Sequence, residues 1–405
     1  MSVQNSKVLS LVILLVAVGQ FRHRKIGPGP LSLSIAAQAD PSAPPLESEQ
    51  TTPKLPVPDV PVACTYYVSP TGSDSSPGSL IMPWKTLRHG FDKIGAGQTL
   101  CLRGGTYAMT VPGGYNQVLD RSGMASSPMV IANYPGEIAI IQGNTRINGA
   151  YVRLVGTPAP TPGLVFEGPT GQALGLIDVM NTHDVILDHV EIRHADYHAG
   201  FYQHGGYNIK MIGCYVHDNG RPAEINTDQG IYWDSTTGGG NLVANCLVEH
   251  NASTGIQLYP RPSQVTVADN TIAGNGNYGM VVYGNHNTVV NNIFWDNGNV
   301  ANNPQLEIAS GNDHIIDSNI IWSTNPSQRR VVNKSNQVIT NLIIADPLLL
   351  DPLRHNYHLR PGSPAIEAGN GTFALRFDKD GLRRGLRPGL GAYKYAPQQA
   401  ITPGL

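Results

Sequence analysis

Residues 183–234 contain a dense group of side chains whose types could carry out chemistry. Six of the 13 histidines of the sequence lie in its first part: His183, His189, His194, His198, His204 and His217. Acidic residues are interleaved with them: Asp188, Glu191, Asp196, Asp218, Glu224, Asp228 and Asp234. The strong bases of this stretch are Arg193, Lys210 and Arg221. Imidazoles and carboxylates can transfer protons or bind a metal ion, so we expect the functional site here.

Several short segments that begin with glycine read as β-strands with alternating side chains. The residues that we expect to point inward in strands of this kind are Phe201, Ile231, Ile256, Met280 and Leu306. A set of outward residues would form one flat surface of aromatic rings and polar groups: Tyr202, His204, Tyr232, Asp234, Tyr259 and Tyr283. Such a surface suits stacking on sugar rings and bonding to their hydroxyls. Outward tyrosines are, however, equally typical of an ordinary β-sheet surface or of packing under a loop.

A recurring unit must position these residues, because the sequence repeats itself. The aligned positions are Cys214, Cys246, Asn270, Asn292, Asn319 and Asn341, and Val190 extends the series upstream. Their intervals vary, but all of them fall within the range of about 20–50 residues that is typical of stacked repeats. This period, with two or three short strands and no helical pattern in each unit, predicts an all-β, single-domain right-handed parallel β-helix. The longest unit contains an inserted loop, residues 217–230, where function is expected.

Two columns of side chains are predicted to run along the inside of the turns. One is the aligned asparagine series, and the other comprises Asn219, Asn251, Asn275 and Asn297. Because parallel coils place equivalent residues about 4.8 Å apart, their amides would stack and bond to the turn backbone. These asparagines are therefore interpreted as structural. Cys214 and Cys246 occupy positions of the same column and are expected to be buried thiols, with a disulfide between them as the alternative.

Composition agrees with an all-β protein and excludes some partners. The 405 residues include 45 Gly and 31 Pro, with 14% charged and 40% hydrophobic residues. Such a chain favours tight turns and a sizeable core. The formal net charge of −2 gives no global field for nucleic acid or a membrane surface, so we expect neither as a partner.

The N-terminal part is predicted to direct export. Lys7 precedes an apolar run, residues 8–18, that is too short to span a bilayer and typical of a signal peptide. Cleavage after Gly19 or after Ala39 fits the small-residue rule, and an uncleaved anchor or a misassigned start codon is the alternative. We therefore predict a signal-peptide region at 1–39, a Pro-rich linker at 40–62, the β-helix with two caps at 63–397, and a secreted protein.

Three segments carry a resemblance to a known family. YYVSPTGSDSSPGSLIMPWKTLRHGFDKIGAGQTLCLRGGTY (66–107) resembles the N-terminal region of secreted β-helix proteins that include family 9 pectate lyases. RSGMASSPMVIANYPGE (121–137) resembles the next block of that group. ADPLLLDPLRHNYHLRPGSPAIEAGN (345–370) and FDKDGLRRGLRPGLGAYKY (377–395) are similar to the C-terminal cap of bacterial β-helix proteins. The resemblance implies that the strands beside Cys64 and Cys101 are neighbours, which would allow a disulfide there.

The resemblance also implies roles for the polar residues. A β-elimination lyase of such a family abstracts the proton beside a uronate carboxylate with an unprotonated Lys or Arg, and Lys210 or Arg221 would be that base. Ca²⁺ commonly neutralises the carboxylate in these families, and its ligands would be Asp196, Asp218, Asp228 and Asp234. The paired Asp-Asp motif expected around the calcium site of a family 9 lyase is absent from this sequence.

We therefore expect a carbohydrate-active protein that binds an acidic, uronate-containing polysaccharide and acts on it by β-elimination or epimerisation. The alternative is a non-catalytic extracellular protein that binds glycans through the tyrosine surface. Capped edge strands predict a monomer in either case.

Overall fold

The structure, a computed structural model, describes residues 63–108, 117–158, 162–170, 174–222, 224, 227–300 and 302–397. They belong to one compact unit, residues 51–405. The predictions of a signal-peptide region at 1–39 and of a linker at 40–62 lie outside the described residues. Within the described ranges, no helix combines the length and the apolar character that crossing a membrane requires.

The described chain coils into a parallel β-helix with three faces, which confirms the predicted fold. The first face consists of strands Gln117–Leu119, Thr145–Ile147, Gln229–Ser235, Ile256–Arg261, Met280–Val282, Leu306–Ile308 and Val331–Asn333. The second face consists of strands Tyr66–Val68, Thr99–Leu102, Met129–Asn133, Val152–Val155, Asn241–Ala244, Val265–Ala268, Thr288–Val290, Ile315–Asp317 and Ile339–Thr340. The third face consists of strands Gly105–Tyr107, Ala139–Gln142, Leu164–Glu167, Glu191–Arg193, Tyr215–His217, Leu247–Glu249, Thr271–Ala273, Ile293–Trp295 and Ile320–Trp322.

Two long strands, Gly175–Asp188 and Ala199–Ile212, join the first face to the second. The N-terminal half of Ala199–Ile212 pairs with Gln229–Ser235 on the first face, and its C-terminal half pairs with Asn241–Ala244 on the second. Side chains at the two ends of this strand therefore belong to different faces of the coil.

The inward side chains of the first face form one continuous column. Phe201, Ile231, Ile256, Met280 and Leu306 are register partners on successive coils, and all five are fully buried. This confirms the predicted inward positions. Burying a side chain of this size contributes roughly 1.5–3 kcal/mol, so stacking apolar columns is the main force that holds the coils together.

The predicted asparagine ladders are present at the turns. Asn219, Asn251, Asn275 and Asn297 each donate an amide hydrogen to the side-chain oxygen of the next member at 2.8–2.9 Å. The series continues through Gln305, which receives the bond from Asn297 and donates to Gln328 at 2.8 Å. Each amide also bonds to backbone. Asn275, for example, donates to the carbonyl of Val248 at 3.0 Å and accepts from the backbone N–H of Asn251 at 3.1 Å. The ladder thus satisfies buried turn groups that no strand can pair.

The glycines Gly200, Gly230, Gly255 and Gly279 of the first face are required by this ladder. A Cβ added at Gly255 would lie 2.7 Å from Asn275 Nδ2, and one added at Gly230 would lie 2.6 Å from Asn251 Nδ2. The close approach of the amide therefore explains why the glycine recurs in these four units.

The aligned series ends at Asn319, and its extension to Asn341 is wrong. Asp317 pairs with Thr340, which places Leu342 opposite Asn319. Asn341 is exposed and donates instead to Asp317 Oδ1 at 2.7 Å. The position equivalent to Asn319 in the last unit is therefore Leu342, one residue after the aligned Asn341.

The N-terminal end is closed by a helix and a disulfide. Thr86 caps the N-terminus of the helix Leu87–Lys93, because its hydroxyl accepts a hydrogen bond from the backbone N–H of His89. The helix buries Leu87 and Phe91. Cys64 and Cys101 form a disulfide with a Cα–Cα distance of 5.5 Å, which confirms the pairing that the resemblance implied. Cys214 and Cys246 are buried thiols, as expected.

The C-terminal segment packs along the outside of the coil. It contains the antiparallel strands Leu349–Asp351 and Asn356–Leu359 with the 3₁₀-helix Pro352–Arg354 between them. Its apolar side chains, Tyr357 and Leu390 among them, form a second hydrophobic cluster with outward residues of the third face. The buried ammonium of Lys379 donates to the backbone oxygens of Gly213 and Cys214 in the middle of the coil.

We predict that Asn275→Ala destabilises the β-helix by about 3 kcal/mol, because it leaves buried backbone groups of two coils without partners. Equilibrium urea unfolding followed by circular dichroism measures the effect. The control is Asn312→Ala, which removes an exposed amide. Equal shifts of the unfolding midpoint in the two variants would show that the ladder is not a source of stability.

Candidate functional site

A histidine–aspartate pair lies on the outer surface of the first face. The register between strands Ala199–Ile212 and Gln229–Ser235 shifts at Gln203/His204, so that Ser235 pairs with His204 and Asp234 is the extra residue. Asp234 Oδ2 makes a short hydrogen bond with His204 Nδ1, and the same oxygen accepts the hydroxyl of Tyr202 at 3.2 Å. The imidazole is 41% exposed. With Nδ1 bound to the carboxylate, its proton lies there and the lone pair lies at Nε2, the arrangement of a general base.

Two tyrosines flank this pair on neighbouring coils. The rings of Tyr202 and Tyr232 lie 5.4 Å apart, and Tyr202 is only 6% exposed. Burial, with the carboxylate of Asp234 adding to it, raises the pKa of Tyr232 to about 12 and raises that of Tyr202 as well. Both phenols therefore stay protonated near neutral pH, which makes them proton donors and not bases.

His198 packs against both tyrosine rings, at 5.7 Å from Tyr202 and 5.2 Å from Tyr232. Burial lowers its pKa, despite a hydrogen bond to the backbone of Leu174, so its imidazole is neutral at physiological pH. It covers Tyr202 from the side of the inserted loop. The prediction that Tyr202 offers its ring to a sugar is not supported, because this ring is covered and only its hydroxyl takes part in the site.

The remaining predicted aromatic residues lie further along the same face. The rings of Tyr259 and Tyr283 meet edge to face at 4.8 Å, and Tyr259 is 40% exposed. Arg261 is the register partner of Ser235, one coil beyond Asp234, and it is exposed. The described first face therefore presents an acid–base centre with an aromatic and cationic surface beside it.

The inserted loop is anchored by an ion pair between two residues predicted for other roles. Arg221 binds the buried carboxylate of Asp228 through Nε at 2.7 Å and Nη2 at 3.0 Å, and its guanidinium lies 4.9 Å from the ring of Tyr197. The hydrogen bonds with Asp228 raise the pKa of Arg221. A guanidinium held in its charged form is a poor proton acceptor, so these contacts do not favour the prediction that Arg221 is the base.

Lys210 lies on the second face, away from the tyrosines. It points outward between the buried Ile209 and Met211, as predicted. Burial lowers its pKa, although the carboxylate of Asp184 opposes the shift. It pairs with Ile186 and Leu242, whereas Tyr202 and His204 pair with the strand Gln229–Ser235 on the first face. Lys210 and the tyrosine surface therefore do not form one site.

The structure does not bring the four predicted calcium ligands together. Asp196 accepts two bonds from Thr170, Asp218 pairs with His217, and Asp228 pairs with Arg221. Asp234 is engaged by His204. Over the described ranges, the only cluster of three or more His, Cys, Asp or Glu residues close enough to hold one ion contains none of them.

Sequence reasoning missed a second aromatic stack, beside Lys210. The rings of His183 and Tyr207 are stacked at 4.8 Å, and Tyr151 meets His183 edge to face at 5.2 Å. His183 and Tyr207 are register partners on successive coils, one repeat apart in the sequence. The repeat alignment could therefore have identified this stack. The packing of His198 against Tyr202 and Tyr232 does not follow the repeat, so the alignment could not have predicted it.

The fold and this surface define a parallel β-helix protein with a polar and aromatic outer face. The sequence profile of the family described as the Pel9A-like, right-handed β-helix region matches residues 66–289, which is more than half of the 405 residues. The chain belongs to this family, and the resemblance seen in its sequence is confirmed.

Individual relatives share parts of the chain or its fold. Pectate lyase PEL9 of Emericella nidulans is 40% identical over 98 residues, which are 24% of this chain and 21% of that protein. The uncharacterized protein YwoF of Bacillus subtilis is 27% identical over 57% of this chain and 46% of its own length. The chain thus spans less than half of each of these relatives. Among solved structures, pectate lyase Pel9A has a TM-score of 0.59 at 16% identity, over 82% of this chain and 96% of its own. A rhamnogalacturonan lyase has 0.55 at 15%, over 84% and 98%.

We predict that Asp228→Asn lowers the melting temperature at about pH 7 and that the difference from the native protein shrinks toward about pH 3. Burial opposes ionisation of Asp228, but hydrogen bonds from Arg221 and Thr227 outweigh it and lower its pKa. Its contribution to stability is therefore present above the unfolded-state pKa of about 3.9 and is lost as the pH falls through the lower folded-state pKa.

Thermal unfolding of both proteins across this pH range measures the difference. Asp313→Asn, which alters an exposed carboxylate, is the matched control. A deficit in Asp228→Asn that stays constant down to about pH 3 would contradict the prediction.

Proposed function

We propose that this protein acts on an acidic, uronate-containing polysaccharide by proton abstraction at His204. The observation that carries the proposal is the contact of Asp234 with both His204 and Tyr202 on the exposed first face. The named pectate and rhamnogalacturonan lyases that share the fold support the substrate class.

The residues on this face have the properties that β-elimination requires. His204 Nε2 takes the proton from the carbon beside the uronate carboxylate, and Asp234 stabilises the imidazolium that forms. The electron pair released forms a carbon–carbon double bond while the bond to the 4-oxygen breaks. A protonated phenol, Tyr232 or Tyr202, gives its proton to that oxygen. In an epimerase the carbanion would instead accept a proton on its opposite face, from the same type of donor.

The substrate carboxylate needs a positive partner, and Arg261 borders the face. Arg261 is exposed and lies one coil beyond Ser235, whereas the guanidinium of Arg221 already binds the buried carboxylate of Asp228. Arginine binds carboxylates in a bidentate manner, so Arg261 could neutralise a uronate without a metal ion. The dispersal of the four aspartates favours this role for arginine over the Ca²⁺ expected from the family resemblance.

The separation of the four aspartates also favours a second candidate function, in which the first face binds a glycan without cleaving it. Tyr259, edge to face with Tyr283, offers an exposed ring for stacking beside polar groups. The two functions differ in whether the His204–Asp234 pair changes the bound polymer.

We expect purified protein to release unsaturated uronate, detected by its ultraviolet absorbance, from pectate, alginate or a glycosaminoglycan. His204→Ala should reduce the rate by about 100-fold or more, because it removes the general base. Lys210→Ala should leave the rate near that of the native protein. The assay is run with Ca²⁺ and with EDTA, and proton exchange into the polymer is followed by NMR to detect epimerisation.

His286→Ala is the matched control, because it removes another exposed imidazole outside the face. Loss of activity in Lys210→Ala with activity retained in His204→Ala would overturn the assignment and move the reaction to the second face. Binding without any product or proton exchange would establish the glycan-binding function instead. Activity abolished by EDTA and recovered with CaCl₂ but not with ZnCl₂ would restore the role of Ca²⁺.

We also propose that the protein is exported. The Cys64–Cys101 disulfide supports this, because such bonds persist in oxidising compartments. In the native host, the protein should be recovered from the culture medium or cell surface with these two thiols resistant to alkylation before reduction. Recovery in the cytosol with both thiols reactive would disprove export.

A further inference from the structure

A second cluster of ligand-type side chains lies where the C-terminal segment meets the coil. Glu249 ends the third-face strand Leu247–Glu249, and His250 follows it in the turn. His355 comes from the C-terminal segment, 106 residues further along the chain, directly after the 3₁₀-helix Pro352–Arg354. The cluster thus joins two parts of the protein that are distant in sequence.

The geometry of the cluster is compact. The Nδ1 atoms of His250 and His355 lie 3.0 and 2.9 Å from the two carboxylate oxygens of Glu249. One ligand atom from each of the three residues falls within 4.8 Å of the others. Glu249 is fully buried, whereas the imidazoles are 42% and 54% exposed. A cavity of about 330 Å³ lined by His355 and Tyr215 lies alongside and gives an ion a route from solvent.

Two tyrosines fix the carboxylate at the centre. The hydroxyls of Tyr215 and Tyr357 each donate a short hydrogen bond to one oxygen of Glu249. The carboxylate is therefore held in one orientation, as outer hydrogen bonds orient the ligands in metal sites.

We propose that Glu249, His250 and His355 bind a Zn²⁺ ion that fastens the C-terminal segment to the coil. Two imidazole nitrogens and one carboxylate oxygen form a common zinc ligand set, with water in the fourth position. Ca²⁺ takes six to eight oxygen ligands, so it does not fit this set. On binding, each neutral imidazole carries its proton on Nε2 and offers Nδ1 to the ion. Because the ligands come together only in the folded protein, the ion stabilises the folded state.

The test is isothermal titration of the full-length, metal-free protein with ZnCl₂, together with thermal unfolding with and without Zn²⁺. We expect one ion per chain at this site and a higher melting temperature with Zn²⁺, with no comparable effect of CaCl₂. His355→Ala should weaken Zn²⁺ binding by about tenfold or more and abolish the shift in melting temperature. Substitution by Co²⁺ should give the visible absorption of a tetrahedral site, which His355→Ala should lose.

Two variants serve as controls. His286→Ala removes an exposed imidazole elsewhere and should bind Zn²⁺ as the native protein does. Tyr357→Phe removes an outer hydrogen bond but no ligand, so it should retain the Co²⁺ spectrum and the one-ion stoichiometry. The proposal is overturned if native protein binds Zn²⁺ no more tightly than His355→Ala, or if His286→Ala weakens binding equally. None of these outcomes depends on the activity proposed for the first face.

Discussion

The register between successive coils is the constraint on which the rest of this structure depends. Every coil must place its turn amide directly over the one before, because Asn251, Asn275 and Asn297 satisfy each other and the turn backbone at once. A slip of one residue would bury unpaired amides and turn the apolar column of Phe201 and Ile231 toward solvent. Insertions are therefore confined to loops, and the stretch between Asp218 and Gln229 is where this chain has one.

Repetition explains which features could be predicted from the sequence. The inward column and the asparagine ladders follow from side-chain alternation and from the repeat of the same short unit, so they were predictable. The wrong assignment of Asn341 also came from the repeat. The alignment placed Asn341 opposite Asn319, but in the structure the next residue, Leu342, occupies that position. The disulfide was implied by the family resemblance and not by the period.

The site was harder to predict because it depends on departures from the repeat. Asp234 meets His204 at a register shift, and the ring of Tyr202 packs against His198 and Tyr232. Lys210 shares a strand with His204, but the strand bends between them and continues onto the second face. The contact of His355 with Glu249 spans 106 residues of sequence, and no local pattern encodes such a contact. Membership of the Pel9A-like family establishes the scaffold, and the sites proposed here depend on these local irregularities.

The hydrogen bond from the Lys379 ammonium group to the middle of the coil has a consequence for the order of folding. The coils can stack in the order of the sequence, but the backbone oxygen of Gly213 accepts its hydrogen bond from an ammonium group 166 residues further along the chain. A chain without the C-terminal segment therefore leaves this carbonyl, and the apolar strip of the third face, uncovered. The C-terminal segment thus couples the stability of the middle coils to residues that lie far from them in the sequence.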